Sequence, residues 1–194
     1  MKKLLLPIFV LAAALALVAC GSSESDEDKI VSLIEKGSTS TDPADCEALQ
    51  TVNFMEQGNE GEGKEAVEEC EEDAKDESGT PDSVEVSEVE IEGSEATANA
   101  AIKGGSFDGQ TVIFNLVEED GDWKLNEIEG FAKLDREKLI GAFEESLEEA
   151  KPPVEEELAE CVIEGTEESS DSELEELVLG GPEGFAELAE ECVE

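Results

Sequence analysis

The sequence predicts an α+β fold, in which helices pack on a bent four-stranded antiparallel sheet and a helical segment follows. Two observations predict this class. Apolar residues recur at helical spacing before about residue 75 and again after about residue 134, whereas they alternate with a period of two between residues 82 and 131. Helices and strands segregated along the chain in this way are typical of folds whose helices cover one face of an antiparallel sheet.

The N-terminal segment predicts export. Residues 1–3 are basic, residues 4–18 are apolar, and the small Ala19 precedes Cys20. The apolar run is shorter than the roughly 20 residues that a membrane-spanning helix needs. A plain cleaved secretion signal and a retained membrane anchor are the alternatives. Residues 20–27 then form a polar, acidic tether with almost nothing to bury.

Leu17-Val18-Ala19-Cys20-Gly21 resembles the lipobox of bacterial lipoproteins. The resemblance implies that residues 1–19 are a signal peptide that is removed, and that the Cys20 thiol carries diacylglycerol. In this family the new amino group is often acylated as well. The protein would then lie on the extracytoplasmic face of the cell membrane, with the membrane as its partner through the Cys20 lipid. Two or more acyl chains make such anchoring stable.

The first predicted helices occupy about residues 28–75. An apolar stripe predicts a helix that ends at Gly37, and Asp42 is the predicted N-cap of a second helix. This second helix is expected to continue to the break at residues 58–63. A further helix places Cys70 on its buried face.

The next zone predicts four antiparallel strands in meander order. A change of phase between Val84 and Ile91 indicates a bulge at Ser87-Glu88. Residues 92–95 form a turn, and a strand with alanines on one face follows. A strand over residues 110–118 then leads, through a tight Asp120-Gly121 hairpin, into the last strand.

Residues 134–194 are predicted to form a helical C-terminal region. Asp135 caps its first helix, and Ser170 and Glu173 form a capping box ahead of a later one. Two of the helices carry a cysteine each. A disulfide bond between those helices would help to hold a segment that is small for an independent core.

The five cysteines divide into one for lipid and four for disulfide bonds. If Cys20 carries lipid, four remain: Cys46, Cys70, Cys161 and Cys192. An even number in an exported chain predicts two disulfide bonds, with three connectivities open. Sequence proximity favours the first with the second and the third with the fourth. A zinc site is the alternative, although the sequence has no C-x-x-C pair.

The composition restricts both partners and chemistry. The net charge is −42, and removal of residues 1–19 makes it about −44. Such a charge repels phosphates, so no nucleic-acid partner is expected. The negative charge attracts cations. The acidic surface is therefore either a metal-loading surface or a solvated coat suited to a salty medium, and we favour the coat. No calcium-loop motif is present, and we expect neither a metal site nor a cofactor.

The chain contains no His and no Tyr. Their absence excludes Ser-His and Cys-His nucleophile pairs, HExxH zinc sites and any His general base. We therefore expect no catalytic residues and a protein that is not an enzyme. The alternative is a hydrolase or isomerase that uses one Asp or Glu whose pKa is raised in an apolar pocket.

Residues 28–133 are the predicted sheet domain, and residues 28–131 resemble an NTF2-like domain of the small secreted or lipid-anchored actinobacterial type. The resemblance rests on the helix start at residues 42–46, the bulged strand, the short turn after it, and the final hairpin with Trp123-Lys124-Leu125. It implies a cone-shaped fold with a pocket between sheet and helices. Some members use that pocket for catalysis, through Asp, His or Tyr, and others only for binding or assembly.

A pocket in this cone would be lined by a defined set of side chains. These are Phe54, Met55, Ala98, Ala100, Phe114, Leu116, Trp123 and Leu125. They either fill the core or leave room beside the alanine-rich strand for a small apolar ligand. The predicted function is a lipid-anchored, non-enzymatic binding or interaction module, with a small apolar ligand or a surface protein as its partner.

Overall fold

The computed structural model describes residues 24–59, 61–75, 79–150 and 154–193. The predicted signal peptide, Cys20 and the first part of the tether lie outside these residues. Within the described residues the chain forms four helices, a four-stranded antiparallel sheet and four further helices. The α+β class, with a four-stranded antiparallel sheet and several helices, is therefore confirmed.

Four helices precede the sheet. They are α1 (Asp26–Thr39), α2 (Ala44–Leu49), α3 (Val52–Gly58) and α4 (Lys64–Asp73). A capping box between Ser25 and Asp28 begins α1, two residues before the predicted helical zone, so the last two residues of the predicted tether are helical. The helix also continues two residues past Gly37. It buries its predicted apolar stripe, Ile30, Leu33 and Ile34.

The prediction of one continuous second helix is wrong. The chain leaves the helical conformation at Gln50, and a new helix begins after Thr51. The Thr51 hydroxyl accepts a hydrogen bond from the Phe54 N–H at 3.2 Å, which makes it the N-cap of α3. Asp42 lies one residue further from α2 than predicted, and its Oδ1 accepts from the Ala44 N–H at 3.1 Å.

The strands form a meander in the order β1-β2-β3-β4. Their bounds are β1 (Ser83–Glu92), β2 (Glu95–Lys103), β3 (Thr111–Glu119) and β4 (Asp122–Lys133). The predicted bulge is confirmed, because Ser87 pairs with Asn99 and Glu90 pairs with Thr97, which leaves two residues of β1 opposite one of β2. The predicted Asp120-Gly121 hairpin is also confirmed, with positive φ at both residues.

The main core lies between α1 and one face of the sheet, which we call the inner face. Alternate residues of the strands are buried there, and three residues of α1 complete the cluster. The strand members of this cluster are Ala96, Ala98, Ala100, Ile102, Val112, Phe114, Leu116, Trp123 and Leu125. The α1 side chains and the alanines of β2 are thus members of one buried cluster.

The outer edge of β4 is covered by α3 and the residue before it. Thr51 donates its N–H to the Leu125 carbonyl at 2.8 Å. The Gln57 amide donates to the Ile128 carbonyl at 2.9 Å and accepts from the Ile128 N–H at 2.7 Å. These bonds occupy edge groups that would otherwise be open to pairing with another chain.

Four helices follow the sheet: α5 (Arg136–Glu149), α6 (Glu156–Glu168), α7 (Asp171–Leu179) and α8 (Gly181–Val193). The predicted caps are confirmed, since Asp135 accepts from the Lys138 N–H and Ser170 forms a capping box with Glu173. The buried Gln110 amide exchanges two hydrogen bonds with the Asp135 backbone, at 2.7 and 3.0 Å. This pair fixes the start of α5 to the sheet.

Arg136, the only arginine, ties α5 to α6. Its Nη2 donates to the carbonyls of Thr166 and Glu167, each at 2.7 Å, in the last turn of α6. The last carbonyls of a helix have no partners within the helix, and a cation near them interacts favourably with the negative end of the helix dipole.

None of the described helices is long and apolar enough to cross a membrane.

Candidate functional site

The side chains predicted to line a pocket are mostly packed together on the inner face. The two alanines, Phe114, Leu116, Trp123 and Leu125 belong to the main core cluster, and Phe54 packs against it. Met55 does not join them. It is buried in a second cluster with Cys46 and Ala66, on the side of α3 that faces α2 and α4. The structure thus divides the predicted set between two clusters.

Trp123 is the predicted pocket residue with the largest side chain, so its surroundings decide whether this region has room for a ligand. The residue is 6% exposed, and its indole N–H has no hydrogen-bond partner of good geometry among the described residues, although it lies near enough to the Asp26 carboxylate to help lower the pKa of that group. Phe54 and Phe114 lie with their ring centroids 6.1 Å apart, at a spacing typical of packed aromatic pairs. These aromatic side chains and their neighbours on the inner face therefore pack against one another as part of the core.

A cleft lies elsewhere, among the N-terminal helices. Its volume is about 210 Å³, below the roughly 300 Å³ at which ligand pockets for drug-sized molecules begin. It is lined by Gly37, Ser40, Asp42, Asp45, Cys46, Gln50, Phe54, Gly58, Asn59, Cys70, Asp73 and Ala74. Phe54 is the residue that this lining shares with the predicted pocket.

Carboxylates stand on the rim of this cleft. Asp45 accepts hydrogen bonds from Lys36 Nζ and Ser40 Oγ, each at 2.6 Å, and its side chain is 15% exposed. The hydrogen bond from Lys36 and then that from Ser40 lower the pKa of Asp45, which keeps it ionised. With Asp42 and Asp73 nearby, the cleft favours neutral or cationic groups over anions.

Both predicted disulfide bonds are present. Cys46 and Cys70 join α2 to α4 with an S–S distance of 2.06 Å, and Cys161 and Cys192 join α6 to α8 at 2.09 Å. The predicted connectivity is therefore confirmed. The first bond forms part of the lining of the cleft, and the second closes the C-terminal helices.

The sequence prediction missed the cleft because it missed the break between α2 and α3. In one continuous helix, residues 44–58 would lie along a single axis. Because the helix is broken, α2 and α3 point in different directions, and residues of both line the cleft beside the Cys46–Cys70 bond. The signal was Thr51, since Thr is a preferred N-cap and a new helix begins directly after it. The prediction instead placed Thr51 inside one helix that continues to residues 58–63.

The outer face of the sheet, opposite the core, is the second surface of interest. Cross-strand pairing places Thr97 beside Asn115, and Asn99 beside Ile113, with their side chains directed away from the buried alanines. Asn115 lies in a chain of amides, because its Oδ1 accepts from Asn126 Nδ2 at 3.0 Å. Asn99, Asn115 and Asn126 therefore belong to this face or its edge and not to the predicted pocket.

The described residues contain no group of three or more His, Cys, Asp or Glu side chains arranged to hold a metal ion. The carboxylates are spread over helix surfaces and strand edges. Several of them form ion pairs, and one example is Asp108, whose carboxylate lies 2.6 Å from Lys138 Nζ. The hydrogen bond from Lys138, supported by one from the Gly104 N–H, lowers the pKa of Asp108.

The chain was compared with protein-family models, with characterised proteins and with solved structures, and no match was found. Its function is therefore inferred from the chemistry and placement of its own residues.

Proposed function

We propose that this protein is a lipid-anchored, non-enzymatic binding or interaction module on the extracytoplasmic face of a bacterial membrane. Cys20 would carry the lipid, after removal of residues 1–19, and would hold the helices and sheet close to the membrane. Asp26, where α1 begins, lies six positions after Cys20, which corresponds to at most about 22 Å of extended chain.

The observation that carries the proposal is the pairing of the other four cysteines. Cys46 bonds to Cys70 and Cys161 bonds to Cys192, so none of these four needs Cys20 as a partner. Disulfide bonds persist in oxidising compartments, which agrees with export. The fifth cysteine then stands at the end of an apolar run, where a lipobox places the residue that is lipidated.

We also propose that the sheet domain is NTF2-like. The proposal is supported by helices that precede a bulged meander, and by the bulge in β1 and the tight hairpin before β4, which are two of the features on which the resemblance rests. The inner face of the sheet is directed towards those helices. A cone of this kind supports binding or assembly, and the proposal includes a small apolar ligand or a surface protein as partner.

Binding is favoured over catalysis by what the buried interior contains. The buried polar residues among those described are Thr51, Gln110 and Thr166, and none of them is a carboxylic acid. Asp45 on the rim of the cleft and Asp108 in its ion pair with Lys138 have lowered pKa values and stay ionised. A carboxylate general base needs a raised pKa instead.

Metabolic labelling of cells with an alkyne analogue of palmitate tests the anchoring. The wild-type chain is expected to take up label and to stay with the membranes. Cys20→Ser should lose the label and no longer be retained there. Ser22→Ala is the matched control, because it changes the same segment and keeps Cys20. A Cys20→Ser chain that is still labelled would overturn the proposal.

A further inference from the structure

The cleft among the N-terminal helices has room for one small molecule. Its volume of about 210 Å³ is larger than a cavity of roughly 150 Å³ that holds benzene, and smaller than the pockets of drug-sized ligands. Much of its wall is apolar and is formed by Phe54, Ala74 and the disulfide bond between α2 and α4. The cleft therefore suits a compact ligand with an apolar part.

The break between α2 and α3 places an amide side chain in this wall. The Gln50 N–H donates to the Cys46 carbonyl at 3.1 Å, which ends α2, and the Gln50 side chain lines the cleft. Its Oε1 lies 3.6 Å from Cys70 Sγ. That sulfur is bonded to Cys46 and has no hydrogen to donate, so the amide oxygen remains available to a ligand.

The other polar side chains of the wall present hydrogen-bond acceptors. Ser40 Oγ donates to Asp45, and Asn59 Nδ2 donates to a backbone carbonyl of α3, each at 2.6 Å, so both donors are already used within the protein. Asp42 and Asp73 add two exposed carboxylates to the rim. The described wall contains no Lys or Arg. A ligand that donates hydrogen bonds or carries a positive charge therefore complements this wall.

Two lysines lie near the cleft and do not cancel its charge. Lys36 Nζ pairs with Asp45 at 2.6 Å, so one carboxylate is neutralised within the protein. Lys75 follows Asp73 by two positions, and its side chain is exposed. The rim carries three carboxylates, those of Asp42, Asp45 and Asp73. The cleft therefore keeps a negative charge even when Lys75 turns towards it.

The wall of the cleft, as far as it is described, suits an organic cation better than a metal ion. The described residues contain no group of three or more His, Cys, Asp or Glu side chains placed to hold a metal. Phe54 instead brings an aromatic ring to the cleft from α3, while it also packs against Phe114 of the core. An alkylammonium group binds over such a ring and removes its apolar part from water, whereas a hydrated metal ion has no apolar part to bury.

We propose that the cleft binds a free small organic cation, an ammonium group that carries methyl groups or a short alkyl chain. Its positive charge would lie between the Asp42 and Asp73 carboxylates, and its apolar part would lie against Phe54 and the disulfide bond. The acidic rim repels phosphate, so the same ammonium group in a phospholipid head group should bind less tightly. The inference goes beyond the proposed function, because the cleft lies outside the predicted pocket and its ligand is charged.

An NMR titration of the full-length chain tests this proposal, in micelles of a maltoside detergent that carries no ammonium group. Choline and propylammonium are the probes, and the side-chain amide signals of Gln50 and Asn59 report binding at the cleft. We expect a saturable shift of both signals. The neutral alcohol in which carbon replaces the choline nitrogen has the same shape without the charge, and it should bind at least about fivefold more weakly than choline. Equal binding of this alcohol, or no saturable shift with either cation, overturns the proposal.

Two double variants separate binding in the cleft from general attraction by an acidic chain. Asp42→Asn with Asp73→Asn removes the two exposed rim charges, and it keeps the side-chain oxygen that accepts from the Ala44 N–H. Asp120→Asn with Asp122→Asn removes the same charge at the exposed β3–β4 hairpin. The first variant should weaken choline binding about fivefold, and the second by less than about twofold. Equal weakening by both variants overturns the proposal.

Two further probes identify the kind of ligand. Phosphocholine should bind more weakly than choline, and calcium chloride at matched ionic strength should not displace choline. Tighter binding of phosphocholine would assign the cleft to a lipid head group, and displacement by calcium would assign it to a metal ion. Either result overturns the proposal. The titration does not depend on the Cys20 lipid, so its failure is distinct from loss of palmitate label.

Discussion

Glu88 is held in the left-handed region of backbone conformation, with φ of 52°. It is one of the two β1 residues that the bulge places opposite a single residue of β2, and its carboxylate accepts a hydrogen bond from Asn99. A side chain with a Cβ costs about 1–2 kcal/mol in this conformation. The bulge thus carries a strain that the paired strands on either side must offset.

Replacing Glu88 tests that strain. Glu88→Val and Glu88→Gly both lose the hydrogen bond to Asn99. They differ in backbone preference, because Val is strongly disfavoured at positive φ and Gly is not. We expect the Val variant to have a free energy of unfolding at least about 1 kcal/mol below that of the Gly variant, measured by urea denaturation. Equal stabilities would contradict the left-handed conformation.

Asp45 is expected to make the free energy of unfolding depend on pH. Its pKa is lowered by the hydrogen bonds from Lys36 and Ser40, so it binds its proton less readily in the folded state than in the unfolded state. The stabilisation it provides is then present above its ordinary pKa of 3.8 and is lost as the pH falls through the lowered value. Asp45→Asn should reduce the free energy of unfolding by about 1 kcal/mol at pH 7.

That difference between wild type and Asp45→Asn should shrink as the pH falls below 3.8. Urea denaturation at a series of pH values measures it. Asp73→Asn, on the same rim but exposed, serves as the control and should change stability little. A difference that stays constant down to the lowest pH would show that the two hydrogen bonds to Asp45 do not favour its ionised form.

At the level of elements, each disulfide bond connects helices within one part of the chain. Cys161 and Cys192 lie 31 residues apart and join α6 to α8. Closure of a loop of this length stabilises the folded state by about 3.5 kcal/mol through the unfolded chain. Because β2 and β3 lie in a separate core, the effect of removing this bond should be local.

Hydrogen exchange of the Cys161→Ser, Cys192→Ser variant checks this expectation. The amides of α6 and α8 should exchange faster, while those of β2 and β3 keep their protection. The corresponding variant at Cys46 and Cys70 should instead affect α2 and α4. Loss of protection in β2 and β3 when only the C-terminal bond is removed would mean that the two parts unfold as one unit.

Elements with a strong local signal were predicted well. The apolar stripe of α1, the phase change at Ser87-Glu88 and the Asp120-Gly121 turn each depend on neighbouring residues, and each is confirmed. The break at Gln50 was missed because tertiary contacts decide it. Thr51 leaves the helix to pair with the Leu125 carbonyl of β4, and no local pattern reveals that partner 74 positions along the chain.

In the candidate sites, too, features set by neighbouring residues could be predicted, whereas features set by tertiary contacts could not. The faces of β2 followed from simple alternation, so both the buried alanines and the outward Thr97 and Asn99 could be assigned to sides of one strand. Placing those outward residues beside Asn115 and Ile113 of β3 required the register between the two strands, which only the folded sheet supplies. The cleft required the angle between α2 and α3, which follows from the unpredicted break.

For the whole molecule, the net charge of −42 is the dominant property. Repulsion among so many carboxylates opposes the compact state, and salt screens it as the Debye length falls from about 30 Å at 0.01 M to about 3 Å at 1 M. We expect the melting temperature to rise by several degrees over this range of sodium chloride.

Calcium chloride at matched ionic strength is the comparison that separates the two interpretations of the acidic surface. A solvated coat predicts a melting temperature close to that in sodium chloride. A much larger rise in calcium would contradict the coat and favour a surface that loads cations. Thermal unfolding followed by circular dichroism measures both series.

Anchoring through Cys20 after loss of residues 1–19 leaves a defined N-terminus on the mature chain. Mass spectrometry of the N-terminal peptide, taken from the membrane fraction of cells that express the full chain, identifies that N-terminus and its modification. We expect a peptide that begins at Cys20 and carries diacylglycerol on its sulfur, with no peptide from residues 1–19. An unmodified Cys20 in that fraction, or a mature chain that begins elsewhere, would refute anchoring through Cys20.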